Sequence, residues 1–279
     1  MVNNAMSTIW NRNPNEFQLE AIARLLLVRV KQHTPSALLL VQGTGSGKSM
    51  VSMTVGITTC GVTLIIENTQ SLSADQMSKF DIANAAYGPV KAFQLDSIKD
   101  DNVAEKLAEC LTSLDYDTNV SVFLYSSPEA MLKPLFLQMI HKLIDNGIIR
   151  LTCIDEVRQF VNFGTSFRPG FGDLRRALFS KIIQRHADPQ FHNSSPVPVD
   201  ENCLLKIPVS LMTATMNFDL LQQLQLLVGI KTLHGMMLWG GRNTFKRHAV
   251  KITMNVTSSN MNVTSSTLSN VLSKDVQKK

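Results

Sequence analysis

The residues with the clearest chemistry are Gln42-Gly43-Thr44-Gly45-Ser46-Gly47-Lys48-Ser49. Three glycines let the backbone close around an anion, and a helix starting at the end of the run points its free N–H groups at the same place. Lys48 can then reach the β- and γ-phosphates of a nucleotide, and the Ser49 hydroxyl can hold Mg²⁺. The strict pattern G-x-x-x-x-G-K-[ST] has glycine where Gln42 stands; the rest of it is met. A second half lies about a hundred residues on, where the apolar run Ile148 to Ile154 ends in Asp155-Glu156. One carboxylate of such a pair serves the Mg²⁺ shell, and the next orients or deprotonates the attacking water. Taken singly, the first run could be a Gly/Ser turn and the second a helix N-cap with its neighbour. Together they describe hydrolysis of a nucleotide phosphate.

The elements that must position these groups are legible as short apolar runs. Ala37 to Val41 reads as a buried strand before the loop, and Met50 to Met53 continues the loop as a helix. Val62–Ile66, Val90–Leu95, Val120–Tyr125 and Pro208–Met212 read as further strands. Helices are expected over Asn15–Leu27 after Pro14, Ser71–Ala86, Asn102–Leu114, Ser127 to about Asp145, and Asn217–Val228. Alternating strands and helices predict an α/β domain, a mostly parallel sheet with helices on both faces and ligands at the strands' C-terminal ends. The expected domain takes up residues 12–235. Residues 1–11 read as a flexible start, 236–254 as a partial linker, and 255–279 as a disordered polar tail in which Asn-Val-Thr-Ser-Ser occurs twice. The Pro- and Ser-containing stretch 188–202 reads as a surface loop.

Composition limits the partners. The 279 residues are 44% hydrophobic, and no apolar run approaches a spanning length, so no membrane is expected and an intracellular protein is. Cys60, Cys110, Cys153 and Cys203 are too far apart for a metal site or a disulfide framework and are expected as reduced, mostly buried thiols. The net charge is +5, but from Arg242 onward there are seven basic residues and one acidic, which leaves the other 241 at −1. A nucleic-acid partner therefore has to be argued from local sites rather than from overall charge.

In order along the chain, these segments resemble the first RecA-like domain of a superfamily 2 helicase, and in particular the RecQ family of DNA helicases. Gln18 with Leu19-Glu20-Ala21-Ile22 is similar to the glutamine motif that contacts adenine, and Gly43 to Ser49 to motif I. Ser71-Leu72-Ser73-Ala74-Asp75-Gln76 resembles motif Ia, Tyr125-Ser126-Ser127-Pro128-Glu129 motif Ib, and Thr213-Ala214-Thr215 motif III. After Asp155-Glu156, the run through Phe163, Gly164, Phe167, Arg168 and Pro169 resembles the family's aromatic-rich loop, which touches single-stranded DNA. Aromatic rings that stack on unpaired bases and an arginine that binds phosphate make that role chemically reasonable; the alternative is a loop that tucks its phenylalanines into the core.

The resemblance implies an ATP-dependent DNA helicase domain that uses Mg-ATP. Lys48 and the loop from Gly43 through Thr44, Gly45, Ser46 and Gly47 would hold the phosphates, Ser49 and Asp155 the Mg²⁺, and Glu156 the water. Ser71, Asp75, Gln76, Pro128, Glu129, Phe163, Phe167, Arg168, Thr213 and Thr215 would touch the strand or transmit the nucleotide state. The implied partner is single-stranded or forked DNA, with a nuclear location in a eukaryote. Arg158 stands where the family has histidine, Phe163 where it has tryptophan, Thr165 where it has a second histidine, and Asn15 near the place of an arginine. After Thr215, 64 residues follow, too few and too polar to build a second RecA-like domain with its arginine finger. The chain is thus expected to act as a first half, with slow turnover unless a second domain or copy acts in trans. The other readings are an RNA helicase-like ATPase and a non-catalytic nucleic-acid-binding remnant of the same fold.

Overall fold

The computed structural model describes residues 2–28, 37–43, 45–67, 74–158, 173–184, 204–205, 207–228 and 237–239. Seven strands form one sheet: β1 (Ala37–Val41), β2 (Gly61–Ile66), β3 (Val90–Gln94), β4 (Ser121–Ser126), β5 (Ile149–Ile154), β8 (Val209–Thr213) and β9 (Met237–Trp239), in the spatial order β3-β4-β2-β5-β8-β1-β9. Every pairing in it is parallel. A separate antiparallel pair joins β6 (Ile183–Gln184) to β7 (Leu204–Leu205).

Side-chain alternation along the strands sorts the core into two halves. Leu39 and Val41 of β1, with Leu64 and Ile66 of β2, face one cluster, while Leu38 and Leu40 of β1, with Ile65 of β2, face the other. The second cluster is covered by α1 (Val2–Trp10), α2 (Glu16–Val28), α3 (Lys48–Thr59) and α4 (Ala74–Tyr87). The first is covered by α5 (Asp101–Thr112), α6 (Pro128–Met131), α7 (Pro134–Asp145) and α8 (Phe218–Val228), with a π-helical turn at Arg175–Phe179. Both faces of the sheet are buried, which is why its strands read as continuous apolar runs rather than alternating ones.

The structure differs from the sequence expectation in three places. Residues before Asn11 form α1, whose Met6 and Ile9 are buried in the second cluster; two apolar side chains three apart suffice to dock a short helix. The helix expected from Ser127 to Asp145 is two, because Pro134 has no N–H to give the preceding turn and instead takes the first position of α7. Beyond the expected last strand, β9 pairs with β1 and carries the sheet past residue 235. The expected loop at 188–202 and the tail at 255–279 lie outside the described residues.

α3 approaches the sheet closely at Gly56, where a Cβ would meet Thr63 Oγ1 at 2.5 Å and the Phe123 ring at 2.6 Å. Phe123 also stacks against Phe80 of α4, centroids 4.9 Å apart. Of the cysteines, Cys153 is buried, Cys60 half-buried and Cys110 exposed, all as free thiols; Cys203 lies outside the described residues. No described helix is long and apolar enough to cross a membrane.

Candidate nucleotide site

The phosphate loop leaves the C-terminal end of β1 and runs into α3. Gln42 N–H donates to the Thr213 carbonyl at 3.0 Å, which fixes the loop's start to the end of β8. Gly45 and Gly47 take φ of 77° and 85°, left-handed values that favour glycine. At Gly43 and Gly45 a Cβ would meet nothing within 4 Å, so this side of the loop opens outward. Lys48 is buried, and its ammonium donates to the carbonyls of Gln42 at 2.7 Å and Gly43 at 3.3 Å. Ser49, one residue on, is exposed. Ser46 Oγ and Gln42 Oε1 are buried and have no hydrogen-bond partner among the described residues, so the loop holds unspent polar capacity of the kind a bound anion and its ion would use.

Gln18 is drawn into this loop. Asn15 caps α2: its Oδ1 accepts from Gln18 N–H at 2.9 Å, and Gln18 Oε1 accepts from Asn15 N–H at 3.0 Å. That is a reciprocal capping box, with glutamine three residues after the cap. The remaining end of the amide, Nε2, donates to the Ser46 carbonyl at 3.2 Å.

The acidic pair follows β5, two strands away from β1 across β8. Asp155 N–H donates to the Ile66 carbonyl of β2 at 2.9 Å, and Glu156 N–H donates to Asp155 Oδ1 at 2.8 Å. Burial raises the Asp155 pKa above the ordinary carboxylate value, against the Glu156 N–H and the Lys48 charge, which lower it. Glu156 has φ 48°, a left-handed conformation unusual for a residue with a side chain. Beneath the pair, Cys153 is pushed up to about 12 by burial, and the Tyr125 hydroxyl is raised by burial and by Glu67, so both stay protonated.

At the end of β8, Thr213 Oγ1 donates to the Thr215 carbonyl at 3.0 Å and accepts from Thr215 N–H at 3.4 Å, which closes a tight turn. Arg158 Nη1 donates to Thr215 Oγ1 at 3.0 Å. A cleft of about 210 Å³ opens beside them, lined by Arg158, Thr215, Met216, Asn217 and Leu220. At the end of β4, Ser127 caps α6 through Ala130 N–H, and Asp96 holds that cap by accepting from both Ser127 N–H, at 2.8 Å, and Ser127 Oγ.

Of the expected site residues, Gly43, Gly45, Ser46, Gly47, Asp155, Glu156, Thr213 and Thr215 lie at or just past the ends of β1, β5 and β8, Lys48 and Ser49 open α3, and Gln18 reaches the loop from α2. Pro128, buried, and Glu129, exposed, lie in the first turn of α6, at the end of β4. Asp75 and Gln76 lie on α4. Thr44, Ser71, Phe163, Phe167 and Arg168 fall outside the described residues. Two participants went unread in the sequence: Asp96, a carboxylate just past the third strand, and the Arg158 to Thr215 bond, which joins residues 57 positions apart.

No family model matches the sequence, and no curated protein matches it. Among solved structures, the chain superposes on the DUF1998 helicase MrfA with a TM-score of 0.51 at 16% identity, over 80% of this chain and 31% of that one. MrfA bound to DNA and AMPPNP gives 0.52 at 16% identity, over 87% of this chain and 29% of that one. The likeness is one of fold: a RecA-like domain built on a parallel sheet with helices on both faces. The chain spans about a third of the length of the helicases it matches. In this fold the glycine-rich loop, the acidic pair and the Thr-Ala-Thr turn lie at the ends of three neighbouring strands, β1, β5 and β8 respectively.

Proposed function

We propose that this chain is the ATP-binding RecA-like domain of a RecQ-like DNA helicase, and that it binds Mg-ATP and single-stranded DNA. The observation that carries the reading is the convergence of Lys48, Asp155 and Thr213 at the C-terminal ends of adjacent parallel strands, with Lys48 lowering the Asp155 pKa through its charge. Lys48 and the loop amides hold the β- and γ-phosphates, and Ser49 and Asp155 hold Mg²⁺. Glu156 positions the attacking water, and the metal supplies charge stabilisation to the transferring phosphoryl group. Among the described residues no group of three His, Cys, Asp or Glu gathers around a metal ion, and a P-loop Mg²⁺, completed by phosphate oxygens and waters, needs no such group.

The Thr213–Thr215 turn and Arg158 form the connection between this chemistry and a bound strand, with Ser71, Asp75, Gln76, Pro128, Glu129, Phe163, Phe167 and Arg168 as the residues that touch the strand or transmit the nucleotide state. MrfA is a helicase whose structure with DNA and AMPPNP is known, and that supports the reading at the level of the fold. In a helicase of this kind a second RecA-like domain completes the site with an arginine finger.

The test is hydrolysis by the purified chain with and without single-stranded DNA or RNA, with Glu156→Gln as control. A Glu156-dependent rate accelerated by DNA supports the proposal. Acceleration by RNA alone moves the substrate to RNA, and no nucleotide binding by the parent chain overturns the ATPase reading.

A further inference from the structure

We infer that Gln18 is a strut for the phosphate loop rather than a reader of the base, so that the site takes nucleoside triphosphates by their phosphates and discriminates little between adenine and guanine. The inference rests on the triphosphate reading of the Lys48 loop and names its substrate class.

Recognition of adenine by a glutamine takes both ends of the amide, Oε1 accepting from the exocyclic amino group and Nε2 donating to the ring N7. Here both ends are engaged: Oε1 accepts from Asn15 N–H at 3.0 Å as half of the α2 cap, and Nε2, which has two N–H donors, gives one to the Ser46 carbonyl at 3.2 Å and turns the other to Met50 Sδ at 3.8 Å. The bonds to Asn15 and Ser46 lie on opposite ends of one planar group and fix its plane. The side chain is also packed: Gln18 is 5% exposed, and its Nε2 fills the space where a Cβ on Gly47 would stand, 2.4 Å away. Turning the amide toward a base would strand Asn15 N–H at a helix start and the Ser46 carbonyl in the loop. It would also pull the side chain out of the notch that Gly47 provides. The neighbouring position reinforces the point, since Asn15 is spent on the same cap.

What the strut does is mechanical. Gly45 and Gly47 give the loop conformational freedom, and one side-chain donor on the carbonyl between them restricts it. Gln18 therefore sets the geometry that the triphosphate meets, whichever base it carries.

Binding of Mg-ATP, Mg-GTP and inorganic tripolyphosphate to the full chain, measured by calorimetry, tests this with Gln18→Ala, Gln18→Glu and Lys48→Ala. The expected result is an affinity for ATP and GTP equal within about threefold, where a base-reading amide would give about tenfold or more for each 1.4 kcal/mol of recognition. Gln18→Ala is expected to weaken ATP, GTP and tripolyphosphate by the same factor. Gln18→Glu keeps an acceptor for the α2 cap and loses the donor to Ser46, so it is expected to weaken all three even where the fold is intact. The ratio of ATP to GTP is insensitive to partial unfolding, which lowers both together. A wild-type preference for ATP above about tenfold, abolished by Gln18→Ala with tripolyphosphate binding unchanged, overturns the inference. Binding of none of the three by the wild type, as by Lys48→Ala, overturns the triphosphate reading and the inference with it.

Discussion

Arg158 Nη1 lies 3.0 Å from Thr215 Oγ1, joining the turn after β5 to the turn after β8. The bond is exposed, so it is worth about 0.5–1.5 kcal/mol and contributes little to folding. Its importance is connectivity: Asp155 and Glu156 are at one end and the Thr213 turn at the other. Arg158→Ala is expected to leave ATP affinity and the unstimulated rate nearly unchanged and to remove most of the acceleration by DNA. Arginine also holds its charge at every working pH. Arg158→His should therefore make DNA stimulation fall as pH rises through about 6.5, where the parent stays flat in that respect. Rate against pH, with and without DNA, checks both.

Asp155 gives a pH prediction with a definite sign. Its folded pKa is raised, burial being the dominant cause. A carboxyl raised on folding stabilises fully below its unfolded pKa, and that stability is lost as pH rises through the folded value. At neutral pH the ionised Asp155 is thus a net cost. Asp155→Asn is expected to raise the melting temperature at pH 7, with the gain disappearing near pH 4 and below, while hydrolysis falls to background. Thermal melts of the two proteins between pH 3.5 and 8 settle it.

Glu156 holds a left-handed backbone, φ 48°, at a cost of about 1–2 kcal/mol for an L-residue. Glu156→Gly is expected to be more stable than Glu156→Gln by an amount of that order, although both lose hydrolysis. Urea midpoints of the two variants, compared at equal slope, provide the measurement.

Gly56 sits in mid-helix, where alanine would ordinarily gain about 1 kcal/mol. The Cβ would approach the Phe123 ring to 2.6 Å and Thr63 Oγ1 to 2.5 Å, both in the sheet core. Overpacking of that kind costs about 1–3 kcal/mol, so the penalty wins. Gly56→Ala should destabilise the domain, and Gly56→Ala with Phe123→Leu should recover part of the loss.

Asp96 accepts two hydrogen bonds from Ser127, and bonds to a charged partner carry about 1.5–3 kcal/mol each when well shielded. With Asp96 partly exposed, about 1–2 kcal/mol in total is expected to go in Asp96→Ala. Asp96→Asn retains an acceptor for Ser127 N–H and should lose less. Hydrogen exchange at Ala130 N–H, which the Ser127 cap protects, reports the loss locally.

Much of this site was readable because strands buried on both faces write themselves as apolar runs. Ala37–Val41 and Ile149–Ile154 could be recognised without partners, and the loop and acidic pair follow them directly. Gln18 was readable as a residue but not as a contact, since nothing in its type says that Ser46 will take its donor. Asp96 shows the same gap. A carboxylate after a strand is common, and only the packing of β3 beside β4 brings it to Ser127. α1 was missed for another reason: Met6 and Ile9 are too few to mark a helix until α3 and α4 offer a surface for them.

The position of β1 in the sheet also bears on how the chain is made. Its neighbours are β8 and β9, so the strand carrying the phosphate loop pairs with segments that follow it by more than 160 residues. At a synthesis rate of about 5–20 residues per second, β1 waits roughly 10–30 s with both edges open. The strands β2 to β5 can pair among themselves meanwhile, and the loop gains its anchor, Gln42 on Thr213, only when β8 arrives. A ribosome stalled before residue 209 would hold an apolar strand with two unpaired edges, the form most prone to aggregate. The glycine-rich loop is therefore anchored late, after the strands β2 to β5 have already emerged.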